Sequence, residues 1–263
     1  MKQTFDSSQH SPAPEALSSS AISAEKSALR EIQSGNQFAL YNATDFPNFT
    51  FDLFSSDYLQ RNHMLTGSAS GRGTAWFFRL NDKEYVLRRY LRGGFIRKLL
   101  KDQFFHAGYR DSRAWKEYTL LQEMRELGLP VPRPVAALTT RSYFVFRSFL
   151  ITERITGAQD LHQVLCQQAL ADEQWRNIGT MIRAFHDKNI YHHDLNIRNI
   201  MLDSTGAPWL IDFDKCGFRN GEEWKQENLS RLRRSFLKES DISPSLKIDA
   251  KSFELILSGY TSQ

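Results

Sequence analysis

Residues 191–203 read YHHDLNIRNIMLD, placing the carboxylate of Asp194 five residues ahead of the amide of Asn199. A second carboxylate, Asp212, stands in LIDFD, eighteen residues after the first. Phosphoryl transfer to a hydroxyl asks a protein for little covalent work: the acceptor must be oriented, its proton accepted and phosphate charge neutralised. Asp194 can accept that proton. Asn199 can offer its amide oxygen to a Mg2+ ion, and Asp212 can hold the same ion against the β- and γ-phosphates of a nucleotide. Leu195 and Ile197, alternating between the polar residues, would pin the loop inward. His192 and His193 lack the spacing of a zinc site, and His192 reads as a brace for the backbone. Asp214 reads either as further help with Mg2+ or as an orienter of Asp212, and Cys216 as a bystander.

Elements must hold these groups in place. LTGSASGRGTAWFFRL (65–80) reads as a strand, a glycine-rich turn and a second strand. Gly67, Gly71 and Gly73 would let backbone N–H groups approach phosphates closely, with Arg72 among them. NDK at 81–83 is a turn signal, and EYVLRRYL is a third strand carrying Arg88. Residues 112–127 are helical, with Ala114, Tyr118, Leu121 and Met124 on one face. Glu117 lies within that face, where a buried carboxylate needs a cationic partner, and Arg88 is the candidate. GLPVPRPVAA ends the helix at Gly128 and starts an extended segment, and YFVFRSFLITERI reads as two more strands. Residues 172–188 carry Trp175, Ile178, Met181, Ile182 and Phe185 at helix spacing. NIMLD and PWLIDFD are short strands around the turn STGA, and the last fifty or so residues are helical.

The order and spacing of these parts resemble the protein-kinase-like superfamily. HHDLNIRN matches the H-R-D-L-x-x-x-N catalytic loop with His193 in place of Arg, and DFD matches D-F-G with Asp214 in place of Gly. YVLRRY aligns with V-A-I-K and puts Arg88 at the lysine position. The resemblance implies an α+β, bilobal fold with an antiparallel-sheet N-lobe and a mainly helical C-lobe. On this reading residues 1–28 are a disordered tail, 29–151 the N-lobe, 152–157 a hinge and 158–263 the C-lobe. The 51 residues after Asp212 leave no room for a full activation segment, which argues against a protein substrate and for a compact small-molecule or lipid-head-group kinase.

Taken together, GRG, VLRRYLRGG, GLPVPRPVAA, ITERITGAQDL and HHDLNIRNIMLD…WLIDFDKCGFR resemble the lipopolysaccharide-core kinases, in particular the 3-deoxy-D-manno-octulosonic acid (Kdo) kinases, over residues 35–260. The resemblance implies ATP and Mg2+ as cofactors and the 4-hydroxyl of a Kdo residue on lipid A as acceptor. It also implies a place at the cytoplasmic face of the bacterial inner membrane. Asp194 would be the base, Asn199 and Asp212 the metal ligands, and Gly67, Gly71, Arg72, Gly73, Arg88 and Glu117 the nucleotide contacts.

Composition agrees with this picture in part. The chain has 263 residues, 41% hydrophobic and 13% aromatic, enough for a packed core. Two cysteines make no disulfide framework, which suits a reducing compartment. Residues 1–28 are rich in Ser, Ala and Pro and bury too little apolar area to offset ordering. No apolar run approaches a membrane span or a signal peptide. Net charge is +4, concentrated in RRYLRGGFIRKLLK (88–101) and RLRRSFLK (231–238). The first interleaves cations with Phe95, Ile96, Leu99, Leu100 and Phe104, and is either an anionic-membrane surface or a solvated helix face. The second, with Arg231, Arg233 and Arg234, is either a solvated face or a contact for acceptor or lipid. Three rivals stay open: a heptose kinase, a pseudokinase that binds without turnover, and a nucleic-acid binder, although no nucleic-acid motif accompanies the charge.

Overall fold

The structure is a computed structural model that describes residues 18–70, 74–90, 108–142, 145–243 and 245–262. It opens on helix α1 (Ser19–Ser27), capped by Ser18, followed by strands β1 (Leu29–Ser34) and β2 (Gln37–Asn42), helix α2 (Ser56–Arg61), and strands β3 (Leu65–Ser70), β4 (Thr74–Leu80) and β5 (Lys83–Tyr90). Helix α3 (Arg113–Glu126) precedes β6 (Pro134–Ser142) and β7 (Val145–Glu153). These strands form one antiparallel seven-stranded sheet in the order β1-β2-β6-β7-β5-β4-β3. The turn between β4 and β5 has Asn81 at φ +50° and Asp82 at φ +62°. Two consecutive left-handed residues match the twist of a tight hairpin, which is why Asn-Asp works there.

Successive side chains of a strand face opposite sides of the sheet. Ala39, Leu87, Ala136 and Ile151 pack outward with Phe46, Phe54, Leu59 and Phe78. Their neighbours Leu40, Ala137 and Leu150 pack inward with α3 and with the helices that follow. Arg88, next to Leu87, accordingly turns to the α3 side, where Glu117 lies.

Beyond β7 come β8 (Gln159–Asp160), α4 (Leu161–Gln167) and α5 (Asp172–Asp187), then the short strands β9 (Ile190–Tyr191), β10 (Ile200–Leu202), β11 (Pro208–Leu210) and β12 (Gly217–Phe218), and finally α6 (Glu223–Ile242) and α7 (Ala250–Thr261). β9 pairs with β12, and β10 lies between β8 and β11. Helices α5 and α7 touch backbone to backbone. A Cβ on Gly179 would lie 2.0 Å from the Ile256 carbonyl oxygen, and one on Gly259 would lie 2.0 Å from that of Arg176.

Three expectations need correction. The first 28 residues are not all tail: residues 19–27 form α1, because Ser18 caps it and two ion pairs dock it on α3, Lys26–Glu126 at 2.8 Å and Glu25–Arg125 at 3.2 Å. A composition argument weighs buried apolar area and misses ordering by paired charges. The run YFVFRSFLITERI holds one strand, β7, rather than two; its partner β6 is the segment PVAALTTRS upstream. Gly67 belongs to β3, at a register shift opposite Phe77, and not to the turn. The turn itself (71–73), with Gly71, Arg72 and Gly73, and the basic apolar stretch at 91–107 lie outside the described residues.

Candidate active site

The loop between β9 and β10 is tied at every step. Leu195 and Ile197 are buried and anchor it from below. The Asn199 amide donates to the Asp194 carbonyl at 2.9 Å, as does that of Asn196. Ser235 of α6 accepts from Ile197 N at 3.1 Å. Asn228, also on α6, receives His192 N at 3.3 Å and donates to the His192 carbonyl at 3.1 Å.

His192 joins this loop to the one that carries Asp212. Its Nδ1 accepts from Asp194 N at 3.2 Å and its Nε2 donates to the Ile211 carbonyl at 3.1 Å. Acceptance at Nδ1 needs the neutral ring, and burial pushes its pKa down to about 4. The ring edge meets Phe213 at 4.9 Å between centroids, and Phe213 stacks on Phe185 of α5. Ile211 N donates to the Asn199 carbonyl at 3.0 Å, a second tie between the loops. The histidine brace read from the sequence is thus a hydrogen-bonded bridge between the backbones beside the two carboxylates.

Asp212 sits at φ +67°, a left-handed conformation that Asp tolerates better than most side chains. Its Oδ1 accepts from Arg88 Nη2, while Arg88 Nη1 donates to Glu117 at 2.8 Å. Glu117 is 2% exposed, and it also accepts from Phe213 N at 3.2 Å and from the Tyr90 hydroxyl at 2.5 Å. Burial pushes the Glu117 carboxyl up, against the pull of Arg88. Burial also works against the charge on Arg88, but Glu117 and Asp212 outweigh it and raise its already high pKa. One guanidinium therefore joins β5, α3 and the Asp212 loop.

Tyr90 was missed, although strand periodicity puts it on the same face as Arg88. Arg113 at the start of α3 grips Asp214, with Nε donating to Oδ1 at 2.8 Å. Cys216 accepts from His193 N at 3.2 Å, and burial pushes its thiol well above the usual range.

Asp194 is held differently. Arg231 of α6 donates to its Oδ1 twice, from Nε at 3.1 Å and from Nη2 at 2.5 Å. Partial burial disfavours the charged carboxylate, but Arg231 prevails and holds Asp194 below the ordinary carboxylate range.

Among the described residues no three His, Cys, Asp or Glu side chains gather as a metal cluster. Asn199 Oδ1 and Asp212 Oδ2 accept no hydrogen bond there. Two hard oxygens fit Mg2+, which fills most of its octahedral shell with phosphate oxygens and water.

A model described as the lipopolysaccharide kinase (Kdo/WaaP) family matches residues 56–260. A 3-deoxy-D-manno-octulosonic acid kinase of Vibrio vulnificus is 40% identical over 235 residues, 89% of this chain and 99% of that protein. A kinase of the same name from Mannheimia succiniciproducens is 40% identical over 239 residues, covering 88% and 99%. One from Haemophilus influenzae is 40% identical over 219 residues, covering 80% and 91%. Among solved structures, the complex of WbdD with the kinase inhibitor LY294002 superposes with a TM-score of 0.44 at 15% identity, over 74% of this chain and 44% of that one, too loosely to bear on the fold.

Proposed function

This chain belongs to the lipopolysaccharide kinase (Kdo/WaaP) family, and from that footing we propose that Asp194 is the base that receives the proton of a Kdo 4-hydroxyl on lipid A. The chain is a Kdo kinase of lipopolysaccharide core biosynthesis, a phosphotransferase with an alcohol acceptor that uses ATP. The observation that carries the residue roles is the His192 bridge, which fixes the backbone at Asp194 against the backbone at Ile211, one residue before Asp212.

The acceptor oxygen forms its bond to the γ-phosphorus as its proton passes to the Asp194 carboxylate. The bond from that phosphorus to the β–γ bridging oxygen breaks, and ADP leaves with the electron pair. Arg88, anchored by Glu117, meets the α- and β-phosphates. Asn199 and Asp212 would hold Mg2+, which when bound neutralises charge between the β- and γ-phosphates. Gly67, at the register shift in β3, would contact the phosphates, and by the family resemblance of their sequence so would Gly71, Arg72 and Gly73, which lie outside the described residues.

The acceptor is carried on a lipid, so the enzyme works peripherally, at the cytoplasmic side of the inner membrane. Among the described residues no helix is long and apolar enough to cross a membrane. The stretch at 91–107 supports surface attachment by its sequence alone, with cations set among large apolar residues.

The test is transfer of labelled phosphate from ATP with Mg2+ to Kdo–lipid A, to a heptosylated core acceptor, and with no acceptor. Label on Kdo–lipid A that is lost in Asp194→Ala supports the reading. Label only on the heptosylated acceptor would replace the acceptor, and bound ATP with no transfer at all would make the chain a pseudokinase.

A further inference from the structure

Arg231 gives both of its bonds to one oxygen, Oδ1 of Asp194. Among the described residues no side chain stands at hydrogen-bond distance from Oδ2: the Asn196 amide donates to the Asp194 backbone carbonyl at 2.9 Å, and its nearness to the carboxylate also helps to hold the charge. Arg231 thus leaves one carboxylate oxygen open to a hydroxyl. A guanidinium carries five N–H donors in a planar fork, and Nη1 of Arg231 has no partner among the described residues.

The surroundings of Arg231 extend its charge. Arg234 and Lys238 follow at three and seven residues, on the same side of α6. Both are exposed, and neither forms an ion pair among the described residues. Glu227 and Asp241 bound this cationic stretch at its two ends. A positive edge that begins at the base fits an acceptor that is itself an anion.

Resting on the acceptor reading above, we propose that Arg231 is a specificity-determining residue for an acidic sugar. One edge of its guanidinium holds Oδ1 of Asp194 so that Oδ2 faces the accepting hydroxyl. The other edge, through Nη1, binds the sugar's carboxylate. In Kdo the acid group sits on the ring carbon two atoms from the carbon bearing the 4-hydroxyl. A sugar with that hydroxyl on Asp194 therefore brings its carboxylate to the residue already gripping the base. A neutral sugar offers no such group, and a phosphorylated one offers it elsewhere.

The experiment compares two acceptors, Kdo–lipid A and the same molecule with the Kdo carboxylate reduced to the alcohol, on wild type and on Arg231→Ala and Arg231→Lys. A bond to a charged group predicts that reduction raises the wild-type acceptor KM by roughly 10- to 100-fold. Arg231→Ala should raise the KM for intact Kdo–lipid A by a similar factor, leave the KM for ATP unchanged, and suffer little further loss on the reduced acceptor. Arg231→Lys, which keeps a charge but not the fork, should recover part of the affinity for the intact acceptor only. An equal loss on both acceptors in Arg231→Ala, or an unchanged KM, would overturn the role of Arg231 while leaving the kinase reading intact. Wild type that phosphorylates neither acceptor would bring down the acceptor reading and this proposal with it.

Discussion

Of the arginine–carboxylate contacts in this site, Arg231 with Asp194 and Arg88 with Glu117 share their chemistry and differ in burial. Arg231 and Asp194 are 45% and 42% exposed, and the pair lies within the helical lobe, between α6 and the loop beside it. Arg88 faces Glu117, which is 2% exposed, and reaches on to Asp212, so that this group crosses between the lobes. Coulomb attraction grows as water is excluded, and so does the penalty for leaving one partner alone. The exposed pair can therefore share its donors with a ligand at small cost, while the buried group holds the architecture. An arginine–carboxylate pair is thus suited to exchange with a ligand where it is exposed and to assembly where it is buried.

That contrast can be broken at several points. The largest effect should be on chemistry: Asp194→Ala should lower turnover by roughly 10²–10⁴, the usual range for a general base, with ATP affinity retained. Turnover within a few-fold of wild type would remove Asp194 from the mechanism. Asp212→Ala should abolish Mg2+-dependent nucleotide use, read as loss of the Mg2+ dependence of ATP binding; an unchanged dependence would sink the metal assignment.

Stability separates the two pairs next. Glu117→Ala leaves Arg88 without its buried partner and should cost about 3–5 kcal/mol in denaturant unfolding. Arg231→Ala should cost less than about 1 kcal/mol, as exposed pairs do. Equal losses would erase the distinction.

Between these in size lies the response to acid. His192 and His186 are buried with pKa values pushed down to about 4 from 6.5. Their folded-state values are below the unfolded ones, so the unfolded chain takes up protons first as the pH falls. Their contribution to stability is whole above pH 6.5 and is lost between 6.5 and 4. The slope should reach on the order of 1.4 kcal/mol per pH unit for each histidine within that window. His192 is the bridge between the loops of Asp194 and Asp212, so His192→Gln should flatten part of this dependence. A stability profile flat from pH 6.5 to 4 would show that the rings are not held neutral.

Much of this was legible because it is local. The five-residue interval from Asp194 to Asn199 fits one loop, and the burial of Glu117 follows from helix periodicity around Ala114, Tyr118 and Leu121. Its need for a cation then pointed to Arg88. The grip of Arg231 on Asp194 was not legible, since it depends on where α6 lies, thirty-seven residues away. The cluster RLRR announced charge without announcing its target. Arg113 and Asp214, 101 residues apart, meet for the same reason. Helix α1 escaped because ion pairs with α3 order it, and such pairs leave no periodic trace in a Ser-rich segment.

The contact of α5 with α7 has a consequence during synthesis. Sixty-two residues lie between the end of α5 at Asp187 and the start of α7 at Ala250. At a ribosomal rate of about 5–20 residues per second, the face of α5 around Gly179 waits about 3–12 seconds for the helix that covers it. The fit is backbone against backbone at both glycines, so a covering surface must come as close as α7 does. The lobe that carries the chemistry therefore closes after the sheet has already been made, and a nascent chain halted before α7 presents an uncovered apolar helix to whatever chaperone or neighbouring chain reaches it first.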